Sequence, residues 1–270
     1  DILTYLYFEE MNVNPQDDKN PDRDRFVLSK GHAAPALYSV LAQRGYFPVE
    51  DLVTLRHIGS YLQGHPDMKG VPGVDMSTGS LGQGVSAAVG MAIAESFLAA
   101  KFNRNELSII DHYTYVLCGD GCLQEGVALE ALSLCAHQKL DKFILLFDSN
   151  DIQLDGSTNL TISEDYKAKF EAMGFNYIIV ENGNSTEAII AAINEAKSQH
   201  VKPTIIEVKT VIGYGTNLCG TSACHGAPIG EENSKVLRQN IGWEYEPFDI
   251  PSDVYESVQE AIKANGKLTI

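Results

Sequence analysis

"DHYTYVLCGDGCLQEG", residues 111–126, carries a β-type apolar run that stops at a glycine, a carboxylate and a second glycine. The run itself, "YTYVLCG" (113–119), is rich in β-branched and aromatic residues, as a buried strand requires. A helical pattern follows over 124–138. The alternation recurs along the chain. "KFILLFDS" (142–149), "YIIVE" (177–181) and "TIIEVKT" (204–210) read as strands, and 2–11, 33–44, 80–100, 185–199 and 252–264 read as helices. Strands alternating with helices of this length predict an α/β fold with a mostly parallel sheet and helices on both faces. No repeat or low-complexity linker interrupts the pattern, so one domain over 1–270 is expected. Ligands of such folds gather beyond the carboxyl ends of the strands. Asp120, Asn150 and the glycine-rich stretch "GYGTNLCGTSACHGAPIG" (213–230) all fall at that edge. Each alone also reads as ordinary turn chemistry.

A glycine-lined turn at a strand end favours phosphate, whereas a carboxylate repels it. A right-handed crossover places Asp120 and Asn150, one helix and one strand apart, on neighbouring strand ends. A carboxylate, an amide oxygen and a backbone carbonyl from the following turn form a hard oxygen cage for Mg²⁺ or Ca²⁺, with phosphate oxygens completing the shell. The cation then stands between Asp120 and the phosphates and reverses the local sign. Gly121 lets the backbone approach a diphosphate.

The bulk properties narrow the class. Thirty-six acidic against twenty basic residues give a net charge of −16. That argues against the basic surface that nucleic acid or an anionic membrane needs. No apolar run is expected to approach the roughly 18 residues of a membrane span, and nothing resembles a signal peptide. The chain opens at Asp1 inside a helical pattern, so further residues are expected upstream. Five cysteines are an odd number, and Cys118 and Cys135 lie in apolar stretches, which fits a reducing cytoplasm better than a disulfide framework. Cys219 and Cys224 lack the second matched pair a zinc site requires. "GQGVSA" (82–87) imitates a dinucleotide fingerprint but lacks a clear preceding strand and a suitably spaced acid. Its small residues suit close helix packing, either in the interior or at a subunit interface.

Five blocks, in order, carry a more specific signal: "DRDRFVLSKGHAAPALYS" (22–39), "GHPD" (64–67), "STGSLGQG" (77–84), "DHYTYVLCGDGCLQEG" (111–126) and "KTVIGYG…HGAPIG" (209–230). Together they resemble transketolase over nearly the whole chain, and in particular the N-terminal, thiamine-diphosphate-binding subunit of a split transketolase. The resemblance implies that Asp120, Asn150 and the Ile152 carbonyl hold a divalent metal. It implies that His32, His65, Gly79, Leu81, Gly121 and His225 surround the diphosphate, the thiazolium or the reactive centre. Ser80 stands where the family often has proline. Glu125 matches a glutamate that connects paired active sites, and Asp148 an aspartate that supports the His225 position. His32, His65, His225 and Glu125 are thereby the candidate catalytic residues. His32, His65, Gly79, Ser80, Leu81, Gly121, Glu125, Asp148, Asn150 and His225 are the candidate cofactor-binding residues. Each of the three histidines also fits a hydrogen-bonding loop role. His57, His112, His137 and His200 match no motif with a role and are expected to be structural or on the surface.

The implied activity is transfer of a two-carbon ketol unit from a ketose phosphate to an aldose phosphate, with thiamine diphosphate and Mg²⁺ or Ca²⁺. The cofactor carries the hard step, while imidazoles titrating near neutral pH suit proton exchange with sugar hydroxyls. The activating glutamate and most of the sugar-phosphate-binding cations belong to the family's pyrimidine-binding half, and an early histidine lies upstream of Asp1. A separate C-terminal subunit, a heterotetramer of two of each, and silence of this chain alone are therefore expected. Two alternatives stay open: a related ketol transferase acting on an unusual sugar, and a non-catalytic cofactor-binding paralogue.

Overall fold

The strand pattern is realised as a five-stranded, wholly parallel sheet in the order β1-β2-β3-β5-β4. The computed structural model describes residues 1–264. The strands are β1 (Arg25–Leu28), β2 (Thr114–Gly119), β3 (Phe143–Ser149), β4 (Asn176–Val180) and β5 (Thr204–Lys209). The helices are α1 (Ile2–Tyr5), α2 (Ala34–Arg44), α3 (Gln83–Phe102), α4 (Gly126–His137), α5 (Tyr166–Met173), α6 (Thr186–Ser198), α7 (Gly230–Ile241) and α8 (Ser252–Ala264).

Side chains of successive strand residues leave opposite faces, and the core divides accordingly. Tyr115, Leu117, Ile144, Leu146 and Ile206 pack on one side with Leu37 and Leu41 of α2 and Ile189 and Ile193 of α6. Val116, Cys118, Leu145, Phe147 and Ile205 pack on the other with Val85 and Ala88 of α3, Leu132 of α4 and Phe170 of α5. Both faces are covered, which is why the middles of these strands are mostly apolar on both sides.

The differences from the sequence reading are local. β1 is a strand that periodicity did not single out: it spans four residues and sits at the sheet edge, pairing with β2 alone. The expected helix over 2–11 is α-helical only to Tyr5. It then widens over Leu6–Glu10, where the Met11 N–H reaches back five residues to the Leu6 carbonyl (2.8 Å). Helices α5 and α7 were not expected. Polar composition hides α5, which Asp165 caps by accepting from the Ala168 N–H (2.9 Å).

The expectation that no segment reaches membrane-span length is also corrected. Helix α3 has 20 residues and a mean hydropathy of 1.4 over its apolar window, enough by length and composition. Its glycines and alanines score as apolar, yet they serve packing here. Val85, Ala88 and Ala92 meet the sheet side of the core, and Glu95 pairs with Lys142 (2.6 Å). A Cβ on Gly84 would lie 2.8 Å from the Ser29 Cα, so α3 seats directly on the backbone that leaves β1. In an ordinary helix, Gly→Ala gains up to about 1 kcal/mol. Gly84→Ala is expected to lose about 1–3 kcal/mol instead, through overpacking, measured as a lower urea midpoint.

His112 supplies the largest histidine contribution to acid sensitivity. It is buried, its Nδ1 has no partner, and burial first and then the Arg25 charge hold its pKa down to about 4. The folded state thus binds the proton less readily than the unfolded chain, whose imidazole titrates near 6.5. Stability is full above that value, is lost as pH falls through it, and levels off near pH 4. The loss is roughly 2–3 kcal/mol. His112→Gln is expected to flatten that limb of a pH series of urea midpoints.

Candidate cofactor site

A cavity of about 540 Å³ opens beyond the carboxyl ends of β2 and β3. Its walls come from the turn after β1 (Lys30–Ala33), Gly79 and Leu81 before α3, the turn Gly119–Cys122, the loop from Asn150 to Thr161, and the stretch around Ile212 and Cys224–Gly226. The parallel register sets Gly119 beside Asp148, so the Asp120 turn and the Asn150 turn leave adjacent strands side by side.

Asp120 is 4 % exposed, and its Oδ2 accepts from the Asn150 N–H (3.3 Å). Burial raises the Asp120 carboxyl to about 6, with further contributions from Asp151 and Asp148. Asn150 Oδ1 accepts from the Ile152 N–H (3.1 Å), and Asp151 between them takes a left-handed backbone (φ 61°). Asp120, Asn150 and Ile152 therefore converge on one wall of one cavity. Their oxygens are hard donors with lone pairs to spare. A desolvated carboxylate with so few hydrogen bonds fits a divalent cation.

Three imidazoles form the opposite feature. The His32 ring lies 5.3 Å from His65 and 5.2 Å from His225, centroid to centroid. Gly31 makes this approach possible, because a Cβ there would stand 2.7 Å from His65 Cδ2. Burial first, then His65, Arg56 and Lys30, lower the His32 pKa. Burial, then His32 and Lys30, lower that of His225. His225 Nδ1 is buried without a partner.

Eight of the residues singled out from sequence line the cavity: His32, Gly79, Leu81, Asp120, Gly121, Asn150, Ile152 and His225. Four do not. The His65 ring lies beside that of His32, tilted by 31°. Ser80 is exposed in the turn leading to α3, its carbonyl accepting from the Gln83 N–H (3.3 Å). Glu125 is exposed beside Gly82, at the start of α4. Asp148 accepts from the Lys30 ammonium and the Thr210 hydroxyl, and no hydrogen bond joins it to His225 among the described residues. Sequence reasoning missed Lys30, which stands two residues before His32 in a block read for its histidine. It also missed the apolar Leu154 and Leu160, exposed on the cavity loop although the residues around them are polar.

This is a parallel α/β ligand-binding domain with its cavity at the strand ends. The chain belongs to the transketolase family. The family profile described as "Transketolase, thiamine diphosphate binding domain" matches residues 1–269. A transketolase of Streptococcus pyogenes is 49% identical over 264 residues, covering 97% of this chain and 36% of the relative. The transketolase structure from Leishmania mexicana superposes with a TM-score of 0.94 at 44% identity, covering 98% of this chain and 40% of that one. A variant transketolase of Pichia stipitis in complex with fructose-6-phosphate also superposes at 0.94, with 42% identity, 98% and 40%. The chain thus corresponds to the N-terminal, thiamine-diphosphate-binding part and spans about 40% of the length of the relatives it matches.

Proposed function

We propose that this domain binds thiamine diphosphate with a divalent metal and acts, together with a C-terminal partner subunit, in two-carbon ketol transfer from a ketose phosphate to an aldose phosphate. One observation carries the reading: a buried, poorly solvated Asp120 shares a cavity wall with Asn150 and Ile152, and His32 and His225, clustered with His65, line the same cavity.

Asp120, the Asn150 amide oxygen and the Ile152 carbonyl hold Mg²⁺ or Ca²⁺, and the Gly121 turn receives the diphosphate. Bound there, thiamine diphosphate supplies the nucleophilic carbon that accepts the two-carbon unit. His32 and His225 stay uncharged near neutral pH because their pKa values are lowered, so they take protons from sugar hydroxyls and return them. His65 packs against His32 and fixes its ring. Gly79, Ser80 and Leu81 shape the mouth, and Glu125 faces a second subunit. The fructose-6-phosphate held by the Pichia stipitis relative supports a sugar-phosphate substrate.

In this proposal a separate C-terminal subunit supplies the pyrimidine-binding half, in a heterotetramer of two of each. Helix α3 supports an interface: Ile93 and Phe97 are exposed on it, Phe97 at 63 %, while its other face packs on the sheet. The five cysteines form no disulfide, which suits a reducing cytoplasm. Co-purification followed by a two-carbon transfer assay with added cofactor and Mg²⁺ tests this reading. Turnover is expected only with the partner present. Turnover of ketose phosphates by this chain alone would refute the split arrangement.

A further inference from the structure

Cys219 and Cys224 lie in the glycine-rich stretch that leads to His225 and take no part in the scheme above. The stretch folds back on itself. The Gly220 N–H donates to the Ile212 carbonyl (2.8 Å), and the Thr221 N–H to the Leu218 carbonyl (3.1 Å). Gly213 leaves a notch in it, since a Cβ there would stand 2.8 Å from Cys224 Sγ and 3.2 Å from the Leu218 oxygen. Cys224 Sγ fills that notch, 3.8 Å from the Leu218 carbonyl oxygen and 3.4 Å from that of Thr221.

Leu218 is the residue before Cys219, so the two cysteines are close in space. A carbonyl oxygen lies about 2.8 Å from the next Cα, which sets Cys224 Sγ within roughly 7 Å of the Cys219 Cα. In a disulfide that distance is about 4 Å, so closure asks for a shift of about 3 Å at most. Gly220 gives the room. It follows Cys219 with φ +71°, and nothing among the described residues stands within 4 Å of where its Cβ would be. Exposure orders the reactivity. Cys219 is exposed and Cys224 half-buried, whereas Cys118, Cys122 and Cys135 are at most 1 % exposed.

Cys224 also lines the cavity and directly precedes His225, whose ring meets that of His32 edge-on at 5.2 Å. The His225 N–H donates to the Ser222 carbonyl (3.0 Å), which closes the turn that carries both residues. Drawing the Cys224 sulfur out of its notch therefore moves the His225 backbone with it.

We propose that Cys219 and Cys224 form a reversible disulfide switch: the dithiol keeps His225 against His32, and the disulfide draws it away. The effect on turnover rests on the reading of the cavity as the ketol-transfer site; the bond itself does not. The oxidant is a small-molecule disulfide such as oxidised glutathione. The Cys219 thiolate attacks one of its sulfurs, the S–S bond breaks, and the first glutathione leaves with the Cys219 proton. The Cys224 sulfur then attacks the Cys219 sulfur of the mixed disulfide, and its proton goes to the second departing glutathione. Two protein thiols are oxidised and one glutathione disulfide is reduced to two thiols. A transient bond of this kind is compatible with a reducing compartment.

Oxidised glutathione on the full chain, followed by alkylation and peptide mass mapping, is expected to reveal a Cys219–Cys224 link with Cys118, Cys122 and Cys135 left as thiols. In histidine NMR spectra the His32 and His225 signals are expected to shift on oxidation and return with dithiothreitol, while those of exposed His57 stay. Assayed with the proposed partner subunit, oxidation is expected to lower turnover about tenfold or more, the scale for a small misplacement of a catalytic group. Cys219→Ser is expected to keep its rate throughout. A wild-type chain that forms no link would overturn the proposal, and so would a link that leaves the His225 signals unmoved. An equal oxidative loss in Cys219→Ser would overturn it too. If the reduced chain and its partner give no turnover, the ketol-transfer reading falls, and the link and the NMR signals still decide the switch.

Discussion

Asp120→Asn is expected to stabilise the ion-free chain at neutral pH and, in the same molecule, to abolish cofactor retention. The two effects share one cause. Burial raises the Asp120 carboxyl from its ordinary value to about 6. A carboxyl whose folded pKa is raised binds its proton more tightly in the native state. Its favourable contribution exists below about pH 4 and is lost as pH climbs from there through 6. At pH 7.5 the ionised group therefore costs stability, roughly 1–3 kcal/mol. Asparagine keeps the shape and the oxygen but never ionises, so the cost disappears. The same substitution removes the one carboxylate from the proposed ligand set. Changes to groups that merely support a metal ligand cost 10–100-fold in affinity, so loss of the ligand charge is expected to exceed about a hundredfold.

Urea unfolding in chelator, paired with thiamine diphosphate titration in Mg²⁺, reads both signs. An ion-free variant less stable than wild type would mean that the Asp120 charge is already compensated inside the fold. Unchanged cofactor affinity would take Asp120 out of the ligand set.

His225→Ala, assayed with the proposed partner subunit, is expected to lower turnover about 10²–10³-fold while cofactor affinity changes only a few-fold, the range for a lost proton-transfer group. His225 lines the cavity, touches His32 edge-on and keeps a buried, unpartnered Nδ1. Burial and its cationic neighbours lower the pKa of both His225 and His32. Their neutral, proton-accepting forms therefore persist below pH 6.5, and the acid limb of kcat/KM is expected below that value. His57→Ala, a change to an exposed side chain away from the cavity, is the control and retains wild-type rates. Equal losses in turnover and cofactor affinity for His225→Ala would make this histidine a binding residue instead.

Much of the scaffold was legible in the chain. The segments read as 113–119, 142–149, 177–181 and 204–210 became β2, β3, β4 and β5 within one residue at each end. A strand covered on both faces is mostly apolar on both sides, and such runs are hard to confuse with surface helices of this chain. β1 escaped because four residues at a sheet edge carry no period. α5 escaped because its stability comes from a cap and from Phe170 seated in the core. Apolar composition alone also misjudged α3, whose small side chains record close packing against Ser29 and the sheet.

At the site, residue types and spacing were enough to nominate Asp120, Asn150 and the histidines. Strand-end carboxylates, amides and glycines follow from local backbone chemistry and can be read in one dimension. Which of them meet was decided in three. The parallel register sets Asp148 beside Gly119, where the absent side chain leaves a path for Lys30. That ion pair joins residues 118 positions apart. Local sequence determines which groups a chain carries and at which strand ends they stand. Electrostatic pairing depends on distance in space, and strand order and register alone bring those ends together.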